Sequence, residues 1–131
     1  LKGMRILVTE DNDLNAEIAQ ELLELQGAVT ERAKDGSEAL ELFQRNPPGR
    51  YQMILMDIRM PVMDGLEATR LIRALNRPDA RTVPIVAMSA NAFEEDMKKS
   101  LESGMNAHLA KPLEIDKVIA VISRCTRNTR T

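Results

Sequence analysis

Four polar groups stand far apart in this 131-residue chain, each just after a short apolar run: Glu10–Asp11, Asp57, Ser89 and Lys111. Crowded carboxylates repel one another, and a hard cation relieves that repulsion. Mg2+ takes oxygen ligands, keeps several waters and is held by one or two carboxylates plus a phosphate. Glu10, Asp11 and Asp57 would supply such a site. A carboxylate also serves as a nucleophile, forming an aspartyl-phosphate. The transferring group then needs its charge neutralised in place by metal, ammonium and hydroxyl, and Lys111 and Ser89 carry the last two. Asp57, alone after the most apolar run, is the expected nucleophile; the adjacent acids suit the metal. With His108 the only histidine and Cys125 the only cysteine, a zinc site is not expected.

Taken singly, these residues have plainer explanations. Glu10-Asp11-Asn12-Asp13 suits a helix N-terminus, Ser89 suits a cap, and Lys111-Pro112 alone says little. Their shared position at the ends of apolar runs, in a workable order, favours a site.

The elements that must position them alternate. Strands are expected at Met4–Thr9 (MRILVT), Ala28–Ala33, Tyr51–Met56 (YQMILM), Val83–Met88 (VPIVAM) and around His108–Ala110. Ala28–Ala33 has few apolar residues and reads as a sheet edge. A first helix, capped by Asn12 or Asp13 and stopped by Gly27, carries Leu14, Ile18, Leu22 and Leu25 at helical spacing, read as its core face. A second opens at Asp35-Gly36-Ser37 with Ala39, Leu40 and Phe43, and Pro47-Pro48-Gly49 ends its segment. A loop over 59–65 leads to a third with Leu66, Thr69, Leu71, Ile72 and Leu75. A fourth, capped by Asn91 or Ser89 with Glu94, Glu95 and Asp96 in its first turn, runs through Leu101 to a stop at Gly104. The last is expected from about Glu114 to Arg124. Five strands alternating with five helices predict an α/β domain, a parallel sheet covered on both faces. In such sheets ligands bind at the carboxyl ends of the strands, where the four groups converge.

The rest of the chain narrows the function classes. It is 44% hydrophobic and 29% charged, with a net charge of −2, so it reads as one globular domain without the basic footprint of a nucleic-acid binder. Residues 1–124 are taken as the domain and 125–131 as a tail or linker; the basic cluster Arg124, Arg127 and Arg130 is read as a solvated end. One cysteine excludes an internal disulfide and suits a reducing compartment. No apolar run reaches the roughly 18–20 residues that span a bilayer. The chain begins with Leu1 and no signal pattern follows; it is read as a piece of a longer protein.

The motifs ILVTEDN, MDIRMPVMDGLEATR, PIVAMSANA and HLAKPLE, at the ends of the first, third, fourth and fifth strands, resemble the receiver domains of two-component signalling. The resemblance runs from Met4 to about Arg124. EDN with Asn15 following, SANAFEEDM and GMNAHLAKPL are most similar to receivers of hybrid sensor histidine kinases. It implies a flavodoxin-like sheet of order 2-1-3-4-5. Asp57 would be the phosphoacceptor, Glu10 and Asp11 would place Mg2+, and the Arg59 main-chain carbonyl would complete the protein's share of the metal shell. Ser89 and Lys111 would each meet a phosphoryl oxygen, with the Lys111–Pro112 bond cis. Arg59 and Asn91 would flank the mouth of the site and tune the access of water.

Two positions depart from the family pattern. His108 stands where an aromatic is common, and is read either as a half-exposed edge residue or as part of the switch. Ser89 stands where threonine is common. The implied partners are a histidine kinase core and a histidine phosphotransfer domain, docking near Leu14, Asn15, Ile18 and Pro112–Leu113. No nucleic acid or membrane contact is expected. The isolated domain is expected to be a cytoplasmic monomer, from a membrane-bound sensor, with only self-phosphorylation and autodephosphorylation of its own. A dehalogenase-like phosphatase is disfavoured because its second aspartate, two positions after the nucleophile, is here Arg59. A nucleotide site lacks its glycine motifs, and a binding-only receiver is disfavoured by the complete set of acids, hydroxyl and lysine.

Overall fold

A computed structural model describes residues 2–90, 94–111 and 113–129. The Asn91 cap, the Lys111–Pro112 bond, the side chains of Glu94, Glu95 and Asp96, and those of Arg127 and Arg130 lie outside what is described. The elements follow in strict alternation: β1 Arg5–Thr9, α1 Asp13–Leu25, β2 Val29–Ala33, α2 Gly36–Arg45, β3 Met53–Asp57, α3 Gly65–Arg73, β4 Ile85–Ser89, α4 Glu94–Ser103, β5 Ala107–Ala110 and α5 Ile115–Thr129. The five strands are parallel, in the order β2-β1-β3-β4-β5. No described helix is long and apolar enough to cross a membrane.

Side chains along each strand alternate between two cores, as the period of two requires. Ile6, Val8, Met53, Leu55, Val86, Met88, Ala107 and Leu109 join Ala19, Leu23, Val118 and Ile122 under α1 and α5. Leu7, Ile54, Met56, Ile85 and Ala87 join Phe43, Ala68 and Ile72 under α2 and α3. β3, buried along its whole length, is the centre. β2 is an edge, as its sparse pattern predicts, and polar pairs stitch it down. Thr30 donates to Glu24 and accepts from Gln20. On the other face the Glu31 carboxylate accepts from the Tyr51 hydroxyl and, at 2.5 Å, from Arg50.

Three expectations need correction. On α1 the residues turned inward are Ala16, Ala19 and Leu23, whereas Leu14 is 65% exposed, Ile18 44% and Leu25 80%. Three of the four residues read as the core face point outward, while Leu22 is half-buried. On α3 Leu71 is partly exposed and the helix is over before Leu75; Ala68, Thr69 and Ile72 are buried. At the C-terminus α5 passes the expected end near Arg124, and Cys125 is buried in the core beneath α1 and α5.

Candidate phosphoryl and metal site

The strands deliver the functional side chains, and the caps leave them free to act. Asn12, not its acidic neighbours, caps α1: its side chain accepts from the Asn15 amide at 2.9 Å. Glu10 and Asp11 are therefore not needed as caps. Asp57 is the last residue of β3 and Ser89 the last of β4. Carried one step past the strands, the two-residue period puts Glu10, Asp57 and Lys111 on the α1/α5 side and Ser89 on the α3/α4 side.

Lys111 ties the cluster together. Its Nζ donates to Glu10 Oε1 at 2.5 Å and to Asp57 Oδ2 at 2.9 Å. Glu10 and Asp57 are only 2% and 5% exposed, so both carboxylates depend on this ammonium for charge balance. The second Glu10 oxygen accepts from the Asn12 amide, and Asp57 Oδ1 from the Arg59 amide at 3.4 Å. Burial pulls the Lys111 pKa down, but the hydrogen bonds and charges of Glu10 and Asp57 outweigh it and hold the group above its usual 10.5. Asp11, at the cluster's rim, is pushed above its usual 3.8 by desolvation and then by neighbouring Glu10.

Among the described residues, Glu10, Asp11 and Asp57 each offer an oxygen within 4.8 Å of the others. An all-oxygen carboxylate set of this spread fits a hard divalent cation such as Mg2+. Ser89 is buried one strand away from Asp57, and its carbonyl accepts from the Lys111 amide at 2.9 Å. His108 is half-buried on edge strand β5 opposite Ala87, away from the acids.

The loop between β3 and α3 is shaped by two unusual residues. Gly65 donates to the Ile58 carbonyl at 2.9 Å, and a Cβ there would fall 2.1 Å from the Asp57 carbonyl oxygen. Only glycine lets α3 start against the back of Asp57. Val62 adopts φ 68°, closed by a Met63 amide bond to the Pro61 carbonyl at 2.7 Å. That is a γ-turn with positive φ, a rare and strained form. Sequence reasoning also missed Arg32, whose guanidinium reaches the Glu10 carbonyl and Asp13. An arginine in an edge strand gave no local signal of that reach.

Beside the cluster lies a groove of about 310 Å³ lined by Glu10, Asn15, Ile18, Ala90, Lys111 and Leu113. It joins the site to the exposed α1 stripe.

The chain's residues 6–123 match the family model described as the response regulator receiver domain. It is 40% identical over 124 residues to the osmosensing histidine protein kinase SLN1 of Saccharomyces cerevisiae, covering 92% of this chain and 10% of that protein. It is 32% identical over 117 residues to the polar-differentiation response regulator DivK of Brucella anthropi, covering 89% of this chain and 91% of that protein. Among solved structures, the receiver domain of the sensor histidine kinase PA1611 from Pseudomonas aeruginosa superposes with a TM-score of 0.83 at 39% identity. The match covers 93% of this chain and 96% of that one, whose structure has a magnesium ion coordinated in the active site cleft. The chain spans only about a tenth of the length of the histidine kinases it matches.

Proposed function

Because this chain belongs to the response regulator receiver domain family and is a receiver of two-component signalling, we propose that Asp57 is its phosphoacceptor, working with Mg2+. The observation that carries the reading is the convergence of Glu10, Asp11 and Asp57 around the single ammonium of Lys111. Mg2+ would be held by the three carboxylates and the Arg59 main-chain carbonyl, and when bound it neutralises charge on the phosphoryl oxygens.

An Asp57 carboxylate oxygen attacks phosphorus, and the bond from phosphorus to the donor's imidazole nitrogen breaks with its electron pair leaving on the imidazole. Lys111, already 2.9 Å from Asp57 Oδ2, needs only a small shift to pair with a phosphoryl oxygen. The Ser89 hydroxyl takes another and so reports phosphorylation to the helix that follows. His108, on the α4 side of β5, is where that change would be felt.

The finer reading is a cytoplasmic receiver domain of a membrane-bound hybrid histidine kinase, monomeric when isolated, that takes its phosphoryl group from the kinase core and passes it to a histidine phosphotransfer domain. Leu14 and Ile18, exposed beside the groove, support docking of such a partner there. A stand-alone regulator is the second reading, favoured by the match over 91% of DivK. The chemistry is tested by incubation with acetyl phosphate and Mg2+ and reading of intact mass. One phosphoryl adduct, lost in Asp57→Asn and without metal, is the expected result. An adduct of equal yield without metal would remove Mg2+ from the reading.

A further inference from the structure

We propose that Arg32 is a positioning residue for the metal acids, an inference that rests on the Mg2+ reading above. Arg32 lies near the end of edge strand β2, in register with Val8. Its Nε and Nη2 both donate to the main-chain carbonyl of Glu10, at 3.2 and 2.9 Å, and its Nη1 donates to Asp13 Oδ1 at 2.7 Å. That carbonyl belongs to the peptide unit joining Glu10 to Asp11. The unit is planar, so fixing its oxygen fixes the direction in which Asp11 leaves the strand. The Glu10 amide is held as well, by the Ala33 carbonyl at 3.0 Å. The peptide groups on both sides of Glu10 are therefore anchored to β2.

The same guanidinium holds a further carboxylate, Asp13, which is 92% exposed and lies only two residues from Asp11. Asp13 is thus tied to the edge strand. The planar fork of arginine makes all three bonds at once; a lysine ammonium in the same place has neither the reach nor the geometry. Contacts that orient metal ligands are a recurrent determinant of metal affinity. Here the contact acts through the main chain rather than through a ligand's side chain.

Arg32 has two other possible effects, and they differ in sign. As a bare cation near the acids it would weaken Mg2+ binding, so removing it would tighten binding. As a purely structural contact it would change stability and leave the metal untouched. The test compares Arg32→Lys and Arg32→Met with the wild-type chain, with folding of each followed by urea denaturation. Mg2+ affinity is measured by calorimetry, and the rate with acetyl phosphate at saturating Mg2+ is measured separately. The expected result is a loss of Mg2+ affinity of about tenfold in both variants, with the saturating rate within about twofold of wild type. Tighter binding in Arg32→Met, or wild-type affinity in Arg32→Lys, overturns the inference in favour of a charge effect. Lower stability with unchanged affinity in both overturns it in favour of a structural contact. Absence of Mg2+ binding by the wild type would overturn the metal reading, and the inference with it.

Discussion

One ammonium balances two buried carboxylates, and that arrangement makes Lys111 the residue on which the resting site depends. Replacing it with methionine leaves Glu10 and Asp57 facing each other without a counter-charge. Lys111→Met should cost about 1–3 kcal/mol in Mg2+-free buffer at neutral pH, read by urea denaturation. The pH dependence has a definite sign. The folded pKa lies above the usual 10.5, so the contribution is complete below 10.5 and disappears as pH rises through the raised value. The difference between wild type and variant should therefore stay constant from neutral pH to about 10 and shrink above it. At this scale the sequence was informative: Glu10, Asp11, Asp57 and Lys111 were recognisable because each follows an apolar run, and the structure gathers all four. Arg32, Gly65 and the pairing of Tyr51 with Glu31 were not recognisable. They act across the sheet or through the main chain, and no local pattern records such contacts.

Among the elements, the edge strand and the loop behind the site are the places where local chemistry departs from simple packing. Tyr51 is the only tyrosine and there is no tryptophan, so its phenolate can be followed cleanly by ultraviolet absorbance. Burial, then its bond to Glu31, pushes its pKa from 10.0 to about 12. Titration of the folded protein should show that raised midpoint, and the unfolded chain one near 10.0. By linkage the stabilisation is present below 10.0 and is lost as pH rises toward 12. A folded midpoint near the unfolded one would mean that β2 is not clamped this way.

In the loop, Val62→Gly should stabilise the protein by about 1 kcal/mol by removing the cost of positive φ. Gly65→Ala should destabilise it by about 3 kcal/mol, since a methyl group meets the Asp57 carbonyl. Denaturation curves of the two variants should shift in opposite directions. Helix identity was legible from periodicity, but the inward face of α1 was not. Leu14, Ile18, Leu22 and Leu25 keep helical spacing whichever way they face, and only the fit of Ala16 and Ala19 against β1 decides it.

For the whole molecule, the strand alternation foretold a parallel sheet, while the order 2-1-3-4-5 came from family resemblance; periodicity carries no information on strand neighbours. That order places β1 beside β3, which brings the acid pair next to Asp57. A cation bound there favours the folded state only. Mg2+ at ten times its dissociation constant should therefore add about 1.4 kcal/mol of stability. Thermal denaturation with and without the metal should show the shift in the wild type, and Asp11→Asn should reduce it.

The most direct measurement locates the phosphoryl group itself. The chain is phosphorylated with acetyl phosphate and Mg2+, the acyl phosphate is reduced with borohydride, and the resulting homoserine is mapped by peptide mass spectrometry. Homoserine at position 57 alone is the predicted result. Homoserine at 11, or 5-hydroxynorvaline at 10, with an unmodified Asp57 would contradict the account, as would a phosphoryl adduct that Asp57→Asn still forms.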